Sequence, residues 1–165
     1  MVLTKRIPSL QKKYLKFSAY GGQTIHDIFS EEALKESITC SVYQTSTSIV
    51  WNEGGKLILQ SLPFEAQLTP VYALAVVDIN NDGRQDIILG GNQYCAKPQT
   101  GIHAGSYGSV LINKGNRRFE TMPFANSGFF VTGQIRDIQK INYKQKELLL
   151  IARNNDSLET FELKK

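Results

Sequence analysis

The chain has 165 residues, 41% of them apolar and 21% charged, with a formal net charge of +4. That length supports a domain with a real core, and that composition excludes a disordered chain. No apolar run approaches the about 18 residues of a membrane span, and the basic stretch MVLTKRIPSLQKK lacks the apolar segment of a signal peptide.

Residues 1–38 read as helical. Leu10, Tyr14 and Phe17 recur at helical spacing, Pro8 suits a first helical turn, and Gly21-Gly22 breaks the pattern. Thr24 with Asp27 resembles a capping box, and Ser30 would cap a short piece from Glu31 to Glu36. Ile25, Ile28, Phe29 and Leu34 would face inward. Lys5, Arg6, Lys12, Lys13 and Lys16 have no acid among them. No groove-reading motif accompanies them, so they read as a solvated helix face and not as a nucleic-acid or membrane surface. Cys40 and Cys95 show no C-x-x-C or Cys/His spacing and read as two lone thiols, although spacing does not exclude a disulfide.

From residue 39 the texture is β, with short apolar or alternating runs between Gly, Asn and Asp turns. Strands are expected near Thr39–Tyr43, Thr47–Trp51, Leu57–Gln60, Tyr72–Asp78, Asp86–Gly90, Ser109–Asn113 and Phe119–Met122. Three more are expected near Gly133–Ile138, Leu148–Ala152 and Glu159–Leu163. An internal repeat runs through this region. SIVWNEGGKLILQSLP from Ser48 matches SVLINKGNRRFETMPF from Ser109, each with an Asn-x-Gly turn and a terminal X-Pro. AVVDINNDGRQDIILGGN aligns with IRDIQKINYKQKELLLIARNND, pairing Asp78 with Asp137 and Asn92 with Asn154. The offset is about 60 residues, somewhat longer than an ordinary propeller blade of about 40 to 50.

Asp78-Ile-Asn80-Asn-Asp82-Gly83-Arg84-Gln-Asp86 carries oxygen donors at its first, third, fifth and ninth positions. Calcium is a hard cation that takes six to eight oxygen ligands, and alternate residues of a tight loop converge on one ion. Gly83 permits the sharp turn, and Arg84 offers its backbone carbonyl. Where an EF-hand places its closing Glu stands Leu89, within an apolar run, so this is not an EF-hand and Asp86 takes the closing role. The competing reading is a metal-free Asn/Asp/Gly hairpin turn. Three acids at ligand spacing would repel one another there.

This loop between two strands, followed by Gly90-Gly91-Asn92, resembles the FG-GAP/VCBS repeat. PSLQKKYLKFSAYGGQTIHDIF, LGGNQY, SYG, SGFFVTGQIRDI and LLLIARNND are similar to a bacterial branch of that family related to the CRTAC/ASPIC-UnbV group. The resemblance implies a mainly β chain, a partial β-propeller of about two blades of antiparallel four-stranded sheet with an amino-terminal helical segment. Residues 1–38 would be an insertion-like helical segment and 39–165 the blades, with one complete blade at about 72–122 between partial ones. It implies one structural calcium ion held by Asp78, Asn80, Asp82, the Arg84 backbone and Asp86. The stretch after Asp137 lacks the acidic ladder, and no ion is expected there.

About two blades cannot close a ring, so the chain is expected to be the carboxy-terminal piece of a larger protein or to associate with further blades or another copy. Its expected place is extracellular, cell-surface or periplasmic, with the export signal outside this stretch. Its expected role is non-catalytic: a calcium-stabilised segment that recognises a protein or glycan, without nucleic acid and without a membrane span. The alternative is a segment of a larger carbohydrate-handling enzyme or assembly. His26 and His103 have no partner at catalytic spacing, Ser106 and Ser109 lack a nucleophile elbow, and Gly90-Gly91-Asn92 opens no nucleotide fingerprint. Trp51, Tyr94, Tyr107, Phe129 and Phe130 could form a sugar platform but read better as blade packing.

Overall fold

The computed structural model describes Leu3 and residues 6–163, apart from the Phe17 side chain. Lys5 of the basic stretch and the Phe17 side chain of the helical pattern therefore lie outside the described residues. The chain forms two compact units, Met1–Gln44 and Thr45–Lys165. The break falls later than the expected one after residue 38, because no strand forms at Thr39–Tyr43. Ile38, Val42 and Tyr43 stay exposed there. A β-prone run without a partner strand to pair with and a face to bury remains irregular.

The described residues of the first unit include four short helices: α1 (Pro8–Lys13), α2 (Phe17–Tyr20), α3 (Ile25–Ile28) and α4 (Glu31–Lys35). Leu10 and Tyr14 are the buried apolar side chains among its described residues. Tyr14 meets Tyr20 edge-on, with ring centroids 5.4 Å apart. The Asp27 carboxylate accepts from Thr24 N at 2.8 Å and from Thr24 Oγ1 at 2.7 Å. The backbone bond holds the Asp27 carboxyl below the usual carboxylate range, with help from the hydroxyl. Ser30 Oγ accepts from Ala33 N at 3.3 Å, capping α4 as expected. Ile28, Phe29 and Leu34 are half-buried, but Ile25 is exposed, contrary to the expected inward face.

The second unit is mainly β. It contains β1 (Ser48–Glu53), β2 (Lys56–Ser61), β3 (Val71–Val77), β4 (Asp86–Gly91), β5 (Ser109–Asn113), β6 (Phe119–Met122), β7 (Ile135–Tyr143), β8 (Lys146–Arg153) and β9 (Glu159–Glu162). These form an antiparallel hairpin β1-β2, a four-stranded meander β3-β4-β5-β6 and a three-stranded meander β7-β8-β9. None of the described sheets closes on itself, and they number two, four and three strands rather than two full four-stranded sheets. The four-stranded sheet spans the stretch expected to hold a complete blade.

Turn chemistry explains the hairpins. Gly54-Gly55 and Lys144-Gln145 each supply two residues of positive φ between directly paired strand ends, the twist-matched two-residue turn. Asn52 Oδ1 accepts from Gly55 N at 2.9 Å, and Asn113 Oδ1 accepts from Gly115 N at 2.9 Å, so both Asn-x-Gly segments turn on the same side chain. Leu62-Pro63 and Met122-Pro123 are each followed by one helical turn, a 3-10 turn at Phe64–Gln67 and α5 at Phe124–Ser127.

The middle sheet is covered on both faces. On one side Ala73, Ala75, Val77, Ile88, Val110 and Ile112 pack with Ile135, Ile138, Leu149 and Ile151 of the third sheet. On the other, Ile87, Leu89 and Leu111 pack with Leu62 and Ala66 and with Ile49 of β1. Every residue of β4 is therefore buried, as its unbroken apolar run requires. Full burial of each such side chain is worth about 1.5–3 kcal/mol. The cover is incomplete on β3. Leu74 and Val76 pair with Leu89 and Ile87 and share their face, yet they are 59% and 53% exposed. They stand outside the cluster that Leu62, Ala66 and Ile49 form on this face.

Both meanders begin with a bulge, between Val71 and Ala73 in β3 and between Ile135 and Asp137 in β7. Aligned on these bulges, Asn92 still matches Asn154, but Asp137 matches Ala73 and the place of Asp78 falls on Asn142. The expected pairing of Asp78 with Asp137 is corrected accordingly. β7 runs straight through IQKINY into its two-residue turn, where β3 has already ended in the Asp78–Gln85 loop.

Candidate functional site

The loop between β3 and β4 is drawn tight by its own side chains. Asp78 Oδ1 accepts from Asp82 N at 3.1 Å and Oδ2 from Gly83 N at 2.8 Å. Asn80 Oδ1 accepts from the same Asp82 N at 3.2 Å, and Asn80 Nδ2 donates to Asp82 Oδ2 at 2.8 Å. Asp78 and Asn80 thus both turn onto Asp82, at its backbone amide and, for Asn80, at its carboxylate as well. Asn81 and Gly83, both left-handed, make the bend (φ 58° and 82°). A side chain at Gly83 would meet open space, so glycine is needed there for backbone freedom alone.

Arg84 takes part through its side chain, which sequence reasoning did not anticipate. Its guanidinium pairs with Asp82 Oδ2 at 2.5 Å, and its Nε donates to Asn113 O at 2.8 Å. Arg84 N also donates to Asp82 Oδ1 at 2.9 Å. That backbone bond, then the Asn80 amide and the guanidinium, hold the Asp82 carboxyl below the usual carboxylate range. A depressed folded-state value means that this contribution is present above the ordinary carboxylate range and is lost as pH falls through the lower, folded-state value.

Asp86 is the most buried member, with no exposed surface. Its Oδ2 accepts from Ile79 N at 2.9 Å and its Oδ1 from Asn113 N at 2.8 Å. It therefore joins the loop entrance to the end of β5, two strands away in the sheet. Each carboxylate oxygen has a second lone pair beyond these bonds. Among the described residues, no three His, Cys, Asp or Glu side chains cluster closely enough to hold a metal by themselves. Any cation here would need the Asn80 oxygen and a backbone carbonyl as well, which is the mixed donor set that calcium accepts.

Gly90-Gly91-Asn92 forms a second tight place. A Cβ on Gly90 would stand 2.4 Å from Ile135 Cγ2, and one on Gly91 would stand 2.0 Å from Pro70 O. Asn92 Nδ2 donates to Ser106 O at 2.6 Å and to Gly133 O at 2.8 Å, while its Oδ1 accepts from Ser106 N at 3.2 Å. Arg136 donates to Asn92 O at 2.9 Å, Gln93 Oε1 at 3.0 Å and Gln134 Oε1 at 2.8 Å, and its guanidinium lies 4.2 Å over the Tyr72 ring. These groups satisfy one another and tie the 93–108 loop to β7. Arg136 and Gln134 escaped sequence reasoning because their partners Asn92 and Tyr94 lie 44 and 40 residues away.

The other candidates are dispersed. His26 is exposed, 3.5 Å from Glu31 Oε1. His103 joins Gln93 in an isolated backbone bridge. Cys40 and Cys95 are free and exposed. Of the aromatic platform, Trp51 stacks on Phe119 (5.8 Å) and Phe129 is buried against Phe161 (5.0 Å), whereas Tyr107 and Phe130 stack on each other in partial exposure (4.3 Å). No helix among the described residues is long and apolar enough to cross a membrane.

Comparison of the chain with known protein families, with characterised proteins and with solved structures finds no match.

Proposed function

We propose that this chain is a non-catalytic, calcium-stabilised segment of a propeller of FG-GAP/VCBS type, serving recognition or assembly outside the cell or at its surface. The observation that carries this reading is the Asp78–Asp86 loop. It lies between two antiparallel strands, with Asp78, Asn80 and Asp82 drawn together and Asp86 locked beneath them. Calcium would take the side-chain oxygens of Asp78, Asn80 and Asp82, the Arg84 carbonyl and a free lone pair of Asp86, and would neutralise the three carboxylates. The propeller reading draws on a hairpin and two antiparallel meanders that follow one another along the chain and pack through their faces. The uncovered Leu74 and Val76 would then be faced by strands of a neighbouring blade or of another copy. Recognition of a protein or glycan is favoured over catalysis because Ser106 is engaged by Gly108 N and His103 by the Gln93 backbone, contacts that hold loops and activate no nucleophile. The carbohydrate-handling alternative loses support, since two members of its platform are spent on packing.

Melting with and without calcium tests the metal. A ligand present at a hundred times its Kd stabilises by about 2.7 kcal/mol, on the order of 10 °C in Tm. Chelation is expected to lower the Tm by that order, and Asp82→Ala to abolish the difference while changing the chelated Tm little. A wild-type melting curve indifferent to calcium and chelator defeats the metal reading.

A further inference from the structure

A cleft of about 340 Å3 opens beside the ends of β5 and β6, within the about 300–1,000 Å3 range of small-ligand sites. Its walls are aromatic. Tyr107, Phe124 and Phe129 line it, and Phe130 backs the Tyr107 ring at 4.3 Å with the planes 21° apart. Phe124 meets Phe130 at 5.9 Å. Phe124, Tyr107 and Phe130 are 65%, 52% and 45% exposed, a concentration of aromatic surface that packing does not use. The floor is fixed: Phe129 is buried, and a Cβ on Gly108, whose φ is +90°, would stand 2.4 Å from Phe129 Cε1.

The polar content of this cleft is one-sided. Glu65 is the one charged side chain among the described lining residues, and no Lys, Arg, His, Asn or Gln accompanies it. Thr121 Oγ1 donates to Glu65 Oε2 at 2.7 Å, which orients the carboxylate, and no cation among the described residues pairs with it. The Ser106 and Ser127 hydroxyls already accept from Gly108 N at 3.0 Å and Phe129 N at 3.1 Å. The other polar lining side chains are neutral hydroxyls, so the carboxylate is what sets this cleft apart from a site for a neutral sugar. A cation is well served, because aromatic faces and a lone carboxylate both present negative potential.

We propose that this cleft binds an organic cation, an ammonium or guanidinium group on an apolar stem, with the charge at Glu65 and the stem against Tyr107 and Phe124. The proposal does not depend on the calcium loop or on the propeller.

The test is an NMR titration of the full chain, following the Tyr and Phe ring signals. Three probes are compared: choline, its neutral isostere 3,3-dimethylbutan-1-ol, and a lysine capped at both ends, with methyl glucoside as a fourth. Choline or capped lysine is expected to saturate the ring shifts, and the isostere to bind at least about tenfold more weakly. Saturation by choline alone assigns the source to small ammonium compounds, and saturation by lysine alone to a peptide side chain. Glu65→Gln, which keeps an acceptor for Thr121, and Phe124→Ala, at an exposed position, are each expected to weaken binding about tenfold with unchanged circular dichroism. Equal binding of the isostere, preference for the glucoside, indifference of Glu65→Gln, or no saturable shift with either cation overturns the proposal.

Discussion

Asp86→Ala is expected to lower the stability of the second unit by about 3–5 kcal/mol, whether or not calcium is present. The carboxylate is fully buried, and each of its oxygens holds a backbone amide: Ile79 N at the loop entrance and Asn113 N at the end of β5. Truncation orphans two amides inside the fold, and each buried unsatisfied group costs about 1–3 kcal/mol. Asp86→Asn is no remedy. Its oxygen can serve one amide, but its NH2 then faces the other donor, and a loss of about 2 kcal/mol or more is expected. Urea denaturation in chelator measures both, and Asp82→Ala is the contrast. Asp82 is on the surface, so its removal should matter mainly when calcium is present. If Asp86→Ala in chelator lies within about 1 kcal/mol of wild type, the clamp between loop and β5 is not what holds this end of the sheet.

The second large effect is expected at Gly91. A methyl group there would stand 2.0 Å from Pro70 O, a backbone atom just ahead of β3, and only displacement of one chain segment makes room. Overpacking of that kind costs about 3 kcal/mol when backbone must move. Gly90→Ala is expected to cost less, about 1–3 kcal/mol, since its obstacle is the Ile135 side chain at 2.4 Å. The two differ in their rescue. Ile135→Val should recover part of the Gly90→Ala loss as a positive coupling in a double-mutant cycle, and none of the Gly91→Ala loss. Equal costs, or rescue of both, would refute the assignment of the two glycines to different neighbours. Denaturation midpoints of the three single and two double variants settle the order.

Most strands were legible because their signals are local. Ser109–Asn113 and Phe119–Met122 have the expected bounds, and the other strands from β1 onward shift by a few residues at their ends. The Asn-x-Gly turns and the X-Pro segments that follow were legible for the same reason, since an Asn side chain acts on an amide two or three residues away. Thr39–Tyr43 shows the limit: its composition is β-prone, but a strand needs a partner, and composition does not supply one.

The sequence by itself determined where the chain turns, which runs are apolar enough to become strands, and that one loop gathers oxygen donors at alternate positions. Those properties depend on φ preference and on side chains reaching a few residues along the chain. Only the tertiary structure decided that Asp86 clamps Asn113, that Arg84 meets Asp82 and Asn113 through its side chain, and that Gly91 has Pro70 against it. It alone decided that the bulge-aligned counterpart of Asp78 is Asn142, and that Leu74 and Val76 stay exposed on a face where Leu89 and Ile87 are buried. These depend on strand register and on how wide each sheet is, which are properties of pairing between distant segments.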